Sequence, residues 1–145
     1  MNYFEKCESI GDNLFIDWCN KTKYFSSIER QPLLSRVDWI CKDNAGHVIN
    51  CELKVRNTLK YNDILIEPDK YNYLMNKWNT EKIVPLYINL CGELVYAFDL
   101  RKCKVIDKGM IKIWSYPDNC YKLVHRFALL TKDAFKYING EKQSN

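Results

Sequence analysis

Only two histidines, His47 and His125, stand in the sequence, and none of its seven cysteines belongs to a C-x-x-C pair. Zinc domains draw on close pairs of such ligands, so this pattern speaks against one. An odd number of cysteines, scattered at 7, 19, 41, 51, 91, 103 and 120, is also a poor disulfide framework. Most fall in apolar runs, where a thiol behaves as a small buried hydrophobe. Reduced core thiols in a cytoplasmic protein are therefore expected. No apolar run approaches the roughly 18 residues that a membrane span needs. Glu5, Glu8, Asp12 and Asp17 interrupt the N-terminal stretch, where a secretory signal keeps an uncharged core.

Glycine and proline are scarce, at five and four, and no low-complexity tract breaks the chain. With no linker, residues 1–145 are expected to form a single domain that buries roughly two-thirds of the surface its unfolded chain exposes. A strong excess of one charge sign is lacking as well. The 22 basic and 18 acidic residues leave a net +4, which permits a polyanionic partner without demanding one. What is abundant is Tyr, Asn, Lys and Ile, a bias that fits an AT-rich genome.

Apolar spacing places a helix over 3–19, with Phe4, Cys7, Gly11, Leu14, Phe15 and Trp18 on one stripe. Strands are expected at 33–41 and 47–56. A helix then runs over 68–79, with Pro68 in its first turn and Tyr71, Leu74, Met75 and Trp78 on one face. Residues 83–90 and 93–100 read as a hairpin turning at Cys91-Gly92, and 110–116 as a further strand. Thr131 caps a short C-terminal helix carrying Ala134, Phe135 and Ile138, and a frayed tail follows from Asn139. The class is α+β.

The segment RVDWICKDNAGHVINCELKVR, residues 36–56, carries the chemistry. A three-residue loop Asn44-Ala45-Gly46, closed by Gly46 in the left-handed conformation, pairs Asp43 with His47. In that register Asp38 faces Glu52, with Cβ atoms about 4.5–5.5 Å apart. Strand alternation puts Lys54 on the same face, about 7 Å further along. Opposed carboxylates repel, so either one holds a proton or a cation lies between them. Oxygen donors favour Mg²⁺ or Mn²⁺ over zinc, and the Cys51 backbone carbonyl is a candidate extra ligand. Such an ion activates water and neutralises the charge of a phosphoryl transition state, and Lys54 is near enough to assist. A solvated strand face with an ordinary Glu–Lys pair is the plainer alternative.

VDWICK followed by CELKVR resembles the PD-(D/E)XK nuclease superfamily, whose signature is an Asp on one strand and E-x-K on the next. Val37 stands where the signature has proline. The resemblance covers residues 3–98 and is greatest to small phage and archaeal enzymes of the Holliday-junction-resolvase kind. It implies a central mixed β-sheet with an α-β-β-β-α-β restriction-endonuclease-like core, here with C-terminal strand and helix additions. It further implies Mg²⁺-dependent cleavage of nucleic acid, with Mn²⁺ as a substitute, Asp38 and Glu52 as metal ligands and Lys54 beside the nucleophile. DNA is the favoured substrate, branched or junction DNA included, and RNA stays open. A homodimer, a cytoplasmic location and a phage or virus origin follow from the same likeness.

Members of the superfamily also place an acid on the first helix. Glu8 lies nearest the apolar stripe, beside Gly11, and is preferred over Glu5 and Asp12. Lys70, in the first turn of the second helix, and Arg56, on the Lys54 face, are the expected phosphate contacts. Basic residues at 101, 102 and 104 read as a solvated turn. Two other classes remain: a nucleic-acid-binding or assembly protein that keeps the fold without turnover, and a structural domain that binds neither metal nor nucleic acid.

Overall fold

The computed structural model describes residues 3–144, except for the side chains of residues 3 and 4. Helix α1 (Tyr3–Thr22) buries Gly11, Phe15, Trp18 and Cys19. Gly11 allows close approach to the sheet, since a Cβ there would lie 3.2 Å from the Val55 side chain. The Phe4 side chain of the expected stripe lies outside the described residues. Next come β1 (Phe25–Arg30), β2 (Trp39–Asp43), β3 (Val48–Val55) and β4 (Asp63–Ile66). Helix α2 (Pro68–Glu81) starts on its proline, the residue suited to a first turn, and ends at Lys82 in the left-handed conformation. The chain finishes with β5 (Val84–Cys91), β6 (Leu94–Asp99), β7 (Val105–Ser115), β8 (Cys120–Leu130), β9 (Phe135–Ile138) and β10 (Glu141–Lys142).

Seven strands form a mixed sheet in the order β1-β2-β3-β5-β6-β9-β10, whose only parallel pair is β3 with β5. Helix α1 covers one face over a core of Phe15, Trp18, Trp39, Ile88 and Tyr137. On the other face, Leu74 of α2 packs into a core with Tyr87, Phe98, Ile66 and Leu129. Ile66 and Leu129 belong to a second sheet, ordered β4-β8-β7. The α-β-β-β-α-β core is present, with β1, β2, β3 and β5 in the large sheet and β4 diverted to the small one. No helix among the described residues is long and apolar enough to cross a membrane. Cys19, Cys41 and Cys51 are buried among hydrophobes, while Cys120 is exposed.

Three expectations need correction, and an edge strand stands where none was expected. The strand placed at 33–41 begins only at Trp39, because Pro32 and the bends that follow it break the extended run. Ahead of it stands β1, whose FSSIER sequence lacks the apolar run of a buried strand because it lies at the sheet edge. The expected C-terminal helix is a single 3-10 turn, Thr131–Asp133, followed by β9. Pairing with β6 gives that segment backbone partners and buries Tyr137, which outweighs its helical spacing. The tail expected to fray turns back through Asn139 and Gly140 as β10, and the Gln143 amide donates to the Lys136 carbonyl.

Phe15 is fully buried, with the Trp39 ring centroid 5.1 Å away and those of Phe25 and Trp18 within 6.2 Å. Phe15→Ala is expected to cost about 3–5 kcal/mol in urea unfolding. A loss under about 1 kcal/mol would show that α1 is not seated on the sheet in this way.

Candidate active site

The β2–β3 hairpin takes the register that its turn chemistry dictates. Gly46 has φ +87°, and the Asp43 carboxylate caps the loop by accepting from the Ala45 and His47 amides. Trp39 pairs with Cys51 and Ile40 with Asn50, so Asp38 stands one step further on, opposite Glu52. Asp38 occupies a bend just before β2. Its amide donates to the Cys51 carbonyl at 3.2 Å, and its Oδ2 accepts the Leu53 amide at 2.8 Å. The Asp38 side chain thus fills the ladder position that β2 leaves at its start.

Glu52 is 5% exposed. Burial first, then the Asp38 charge, push its carboxyl up to about 7, and a hydrogen bond with the Asp38 side chain adds to the rise. Lys70, reaching from the first turn of α2, opposes this with its ammonium 2.8 Å from Glu52 Oε1. Burial works against the Lys70 charge, but Glu52 overrides it and holds that pKa above the usual lysine value.

A second group of charges adjoins this pair around Arg30 of β1, which sequence reading missed. Its Nε donates to Asp12 at 2.9 Å, its Nη2 to Glu8, and its Nη1 to the Asp38 carbonyl at 2.6 Å. The Asp38 carboxylate is 4.0 Å from the same guanidinium. Asp12 also accepts the Trp39 indole N–H at 2.9 Å. Glu8 and Asp12, one helical turn apart on α1, are therefore held by one guanidinium instead of competing for one role. Burial and the nearby Asp38 charge raise the Glu8 pKa against the pull of Arg30. Glu5, Glu8, Asp12 and Arg30 line an open cavity of about 440 Å³ beside the site.

Lys54 shares the Glu52 strand face by alternation. Its surface is exposed, yet it is crowded by protein. Desolvation, then the charges of Arg56 and Lys70, draw its ammonium below the ordinary lysine range. The expected outward role of Arg56 is not what its contacts show. Its guanidinium donates to Asn89 Oδ1 at 3.0 Å, the Leu65 carbonyl at 2.6 Å and the Tyr87 hydroxyl at 3.0 Å. It ties β3 to β5 and β4, forming part of the wall. The Cys51 carbonyl, expected as a ligand, carries the Asp38 amide. Among the described residues, no three or more His, Cys, Asp or Glu side chains are grouped to share one metal ion.

No protein-family model and no curated protein sequence matches the chain. A likeness appears among solved structures: a Holliday junction resolvase, Hjc, of the archaeal hyperthermophile Archaeoglobus fulgidus. The chain has a resolvase-like fold. The similarity covers 83% of this chain and 84% of Hjc at a TM-score of 0.53, with 10% sequence identity. What the two share at that identity is fold, the mixed curled sheet flanked by helices.

The buried Glu52 carboxyl makes a pH prediction. Its folded-state pKa, about 7, exceeds the ordinary value of 4.5, so folding favours the protonated form. That stabilisation is complete below the ordinary value and lost as pH rises through about 7. Without divalent cations, Glu52→Gln should gain on the wild type as pH rises from about 5 to 8, by up to about 3 kcal/mol. Urea midpoints in EDTA measure this; a gap that stays constant with pH would refute it.

Proposed function

We propose that the chain is a divalent-metal-dependent nuclease of the PD-(D/E)XK type that hydrolyses DNA phosphodiester bonds, with branched or junction DNA its favoured substrate. The observation that carries this reading is the buried Glu52 set against Asp38, with Lys54 on the same strand face and Lys70 at Glu52. The fold shared with a Holliday junction resolvase supports it. Opposed, oxygen-only donors suit a hard cation, because such an ion relieves the repulsion between two carboxylates that are held in place. Asp38 and Glu52 would hold Mg²⁺ or Mn²⁺, together with a backbone carbonyl at that edge of β3. Residues 51 and 53 direct their peptide groups to this edge, and the Asp38 amide already engages Cys51, which favours Leu53.

When bound, the ion supplies an acidified water and offsets charge on the phosphate. The remaining work falls to the chain. Lys54, with its ammonium destabilised by crowding, is suited to take and return a proton beside the attacking water. Lys70 and Arg30 offer positive charge to phosphate oxygens, and Glu8 and Asp12 fix the Arg30 guanidinium in place. Two copies acting together would set one site on each strand of a duplex.

A second reading has an observation of its own. The Lys70–Glu52 pair and the Arg30 cluster give each of the four acids a basic partner within the protein, as in a nucleic-acid-binding protein without turnover. The two readings separate on linear, single-stranded and four-way-junction DNA and RNA with added Mg²⁺ or Mn²⁺. The nuclease reading expects metal-dependent cleavage that falls about a hundredfold or more in Glu52→Ala and Lys54→Ala, with folding unchanged. Binding that ignores both substitutions, without cleavage of any substrate, would establish the non-catalytic protein.

A further inference from the structure

Strands β7 and β8 form an arm whose outer half has little of the protein against it. Cross-strand pairing joins Met110 to His125, Lys112 to Leu123 and Trp114 to Tyr121, so these six side chains share one face. Two residues along β8 the same face presents Phe127, whose ring packs edge-on against Tyr71 of α2 at 5.6 Å. Tyr71 adjoins Lys70, the residue that holds Glu52. On the opposite face of β8, Arg126 approaches Glu67, the residue before α2, at 3.9 Å. The inner part of the face is thus seated beside the site, while the outer part is open to solvent. Met110 is 63% exposed, Tyr121 62% and Leu123 69%, so this face leaves several large apolar side chains side by side in solvent.

The chemistry of this face selects among occupants. Trp114 and Tyr121 lie ring to ring at 4.9 Å and 76°, and the Lys112 ammonium is 5.1 Å from the Tyr121 centroid. No acid lies within ion-pair reach of Lys112 among the described residues. Over Val105–Leu130 the two acids are engaged, Asp118 by Lys122 and Ser115 and Asp107 by His125. Of the four basic residues, Lys122, Lys108 and Arg126 pair with Asp118, Asp63 and Glu67, which leaves Lys112 as the cation without an acid partner among the described residues. Aromatic rings that can stack with bases, beside a lysine that can meet a phosphate, are the composition of a single-strand contact. A second copy of the chain would add most readily along the outer edge of β7. That edge is guarded by Lys108, Lys112 and the Gly109 irregularity, devices that discourage strand pairing.

We propose that the β7–β8 arm is a second nucleic-acid contact, where bases of an unpaired DNA strand stack on Trp114 and Tyr121 while Lys112 meets the backbone. The choice of DNA rests on the nuclease reading; the stacking site does not. The arm would give a resolvase-like fold its preference for substrates with an unpaired or splayed strand next to the cleavage site.

Fluorescence anisotropy of the full chain in EDTA, with labelled oligo-dT, a forked DNA and a blunt duplex, tests the arm without any cleavage. The double variant Trp114→Ala, Tyr121→Ala should weaken oligo-dT and fork binding by about tenfold or more and leave the duplex within about twofold. Trp114→Phe should keep most of the affinity, and Lys112→Ala should flatten the salt dependence. Unchanged binding in the double variant overturns the proposal. So does a dimer-to-monomer shift in sedimentation with binding intact, which would give the face to a second copy. Tighter binding of oligo-rU than oligo-dT would overturn the choice of DNA. Arm-dependent binding here, together with no cleavage of any substrate once Mg²⁺ or Mn²⁺ is added in a separate assay, would sink the nuclease reading and leave the arm standing.

Discussion

Two carboxylates placed face to face in a poorly solvated pocket are the constraint around which this structure is arranged. Neither Asp38 nor Glu52 can be relieved by moving away. The hairpin register fixes their backbones, and the Asp38 side chain is committed to the Leu53 amide. A buried charge without compensation costs several kcal/mol, so positive groups must come to it from elsewhere. Lys70 arrives from α2 and Arg30 from β1. The start of α2, the edge strand β1 and the acid pair of α1 are thereby linked. Glu8 and Asp12 bond Arg30, Arg30 bonds Asp38, and Asp38 presses on Glu52.

The part of this arrangement that is local in sequence was legible there. Gly46 sets the loop length, loop length sets register, and register puts Asp38 opposite Glu52; each step needs only turn chemistry and a period of two. Arg30 was not legible, because β1 is a short edge strand without an apolar signature, and its partners lie on a helix whose approach sequence does not fix. That also explains the rivalry among Glu5, Glu8 and Asp12. A helical wheel ranks side chains by direction but does not show that one guanidinium gathers two of them. Arg56 teaches the complementary lesson. Alternation fixed where its Cβ points, but a long side chain then turned to Leu65, Asn89 and Tyr87, which lie on strands not yet placed. At the C-terminus, helical spacing of Ala134, Phe135 and Ile138 lost to a free edge of β6 that offered a backbone ladder.

At 10% identity to Hjc, hardly any individual side chain is shared, so the common fold must be maintained by pattern: a hairpin, a parallel crossover through α2 and apolar faces on both sides of the sheet. Such a pattern specifies an architecture, and function has to be argued from the site it carries. The β7–β8 arm has a different standing. It extends from the small sheet, it contributes to the core only near its root, and its outer residues are not required to close the fold. Exposed rings that contribute little to folding need another reason to be kept together.

On the nuclease reading, charge balance bears on how the site would meet a phosphodiester. When fully ionised, the cluster sets four carboxylates, Glu8, Asp12, Asp38 and Glu52, against three cations, Arg30, Lys54 and Lys70. That balance is negative, and a phosphodiester brought to it meets repulsion, with much of the attraction of Arg30 and Lys70 already spent on acids. Protonating Glu52 removes the excess, which is the direction in which burial and Asp38 push it. On that same reading, a divalent ion held by Asp38 and Glu52 would go further and make the balance positive, leaving Lys70 free to meet a phosphate oxygen. Substrate affinity and the acid pair are therefore coupled: on the nuclease reading, the cation that relieves Asp38 and Glu52 is also what makes this pocket attractive to nucleic acid.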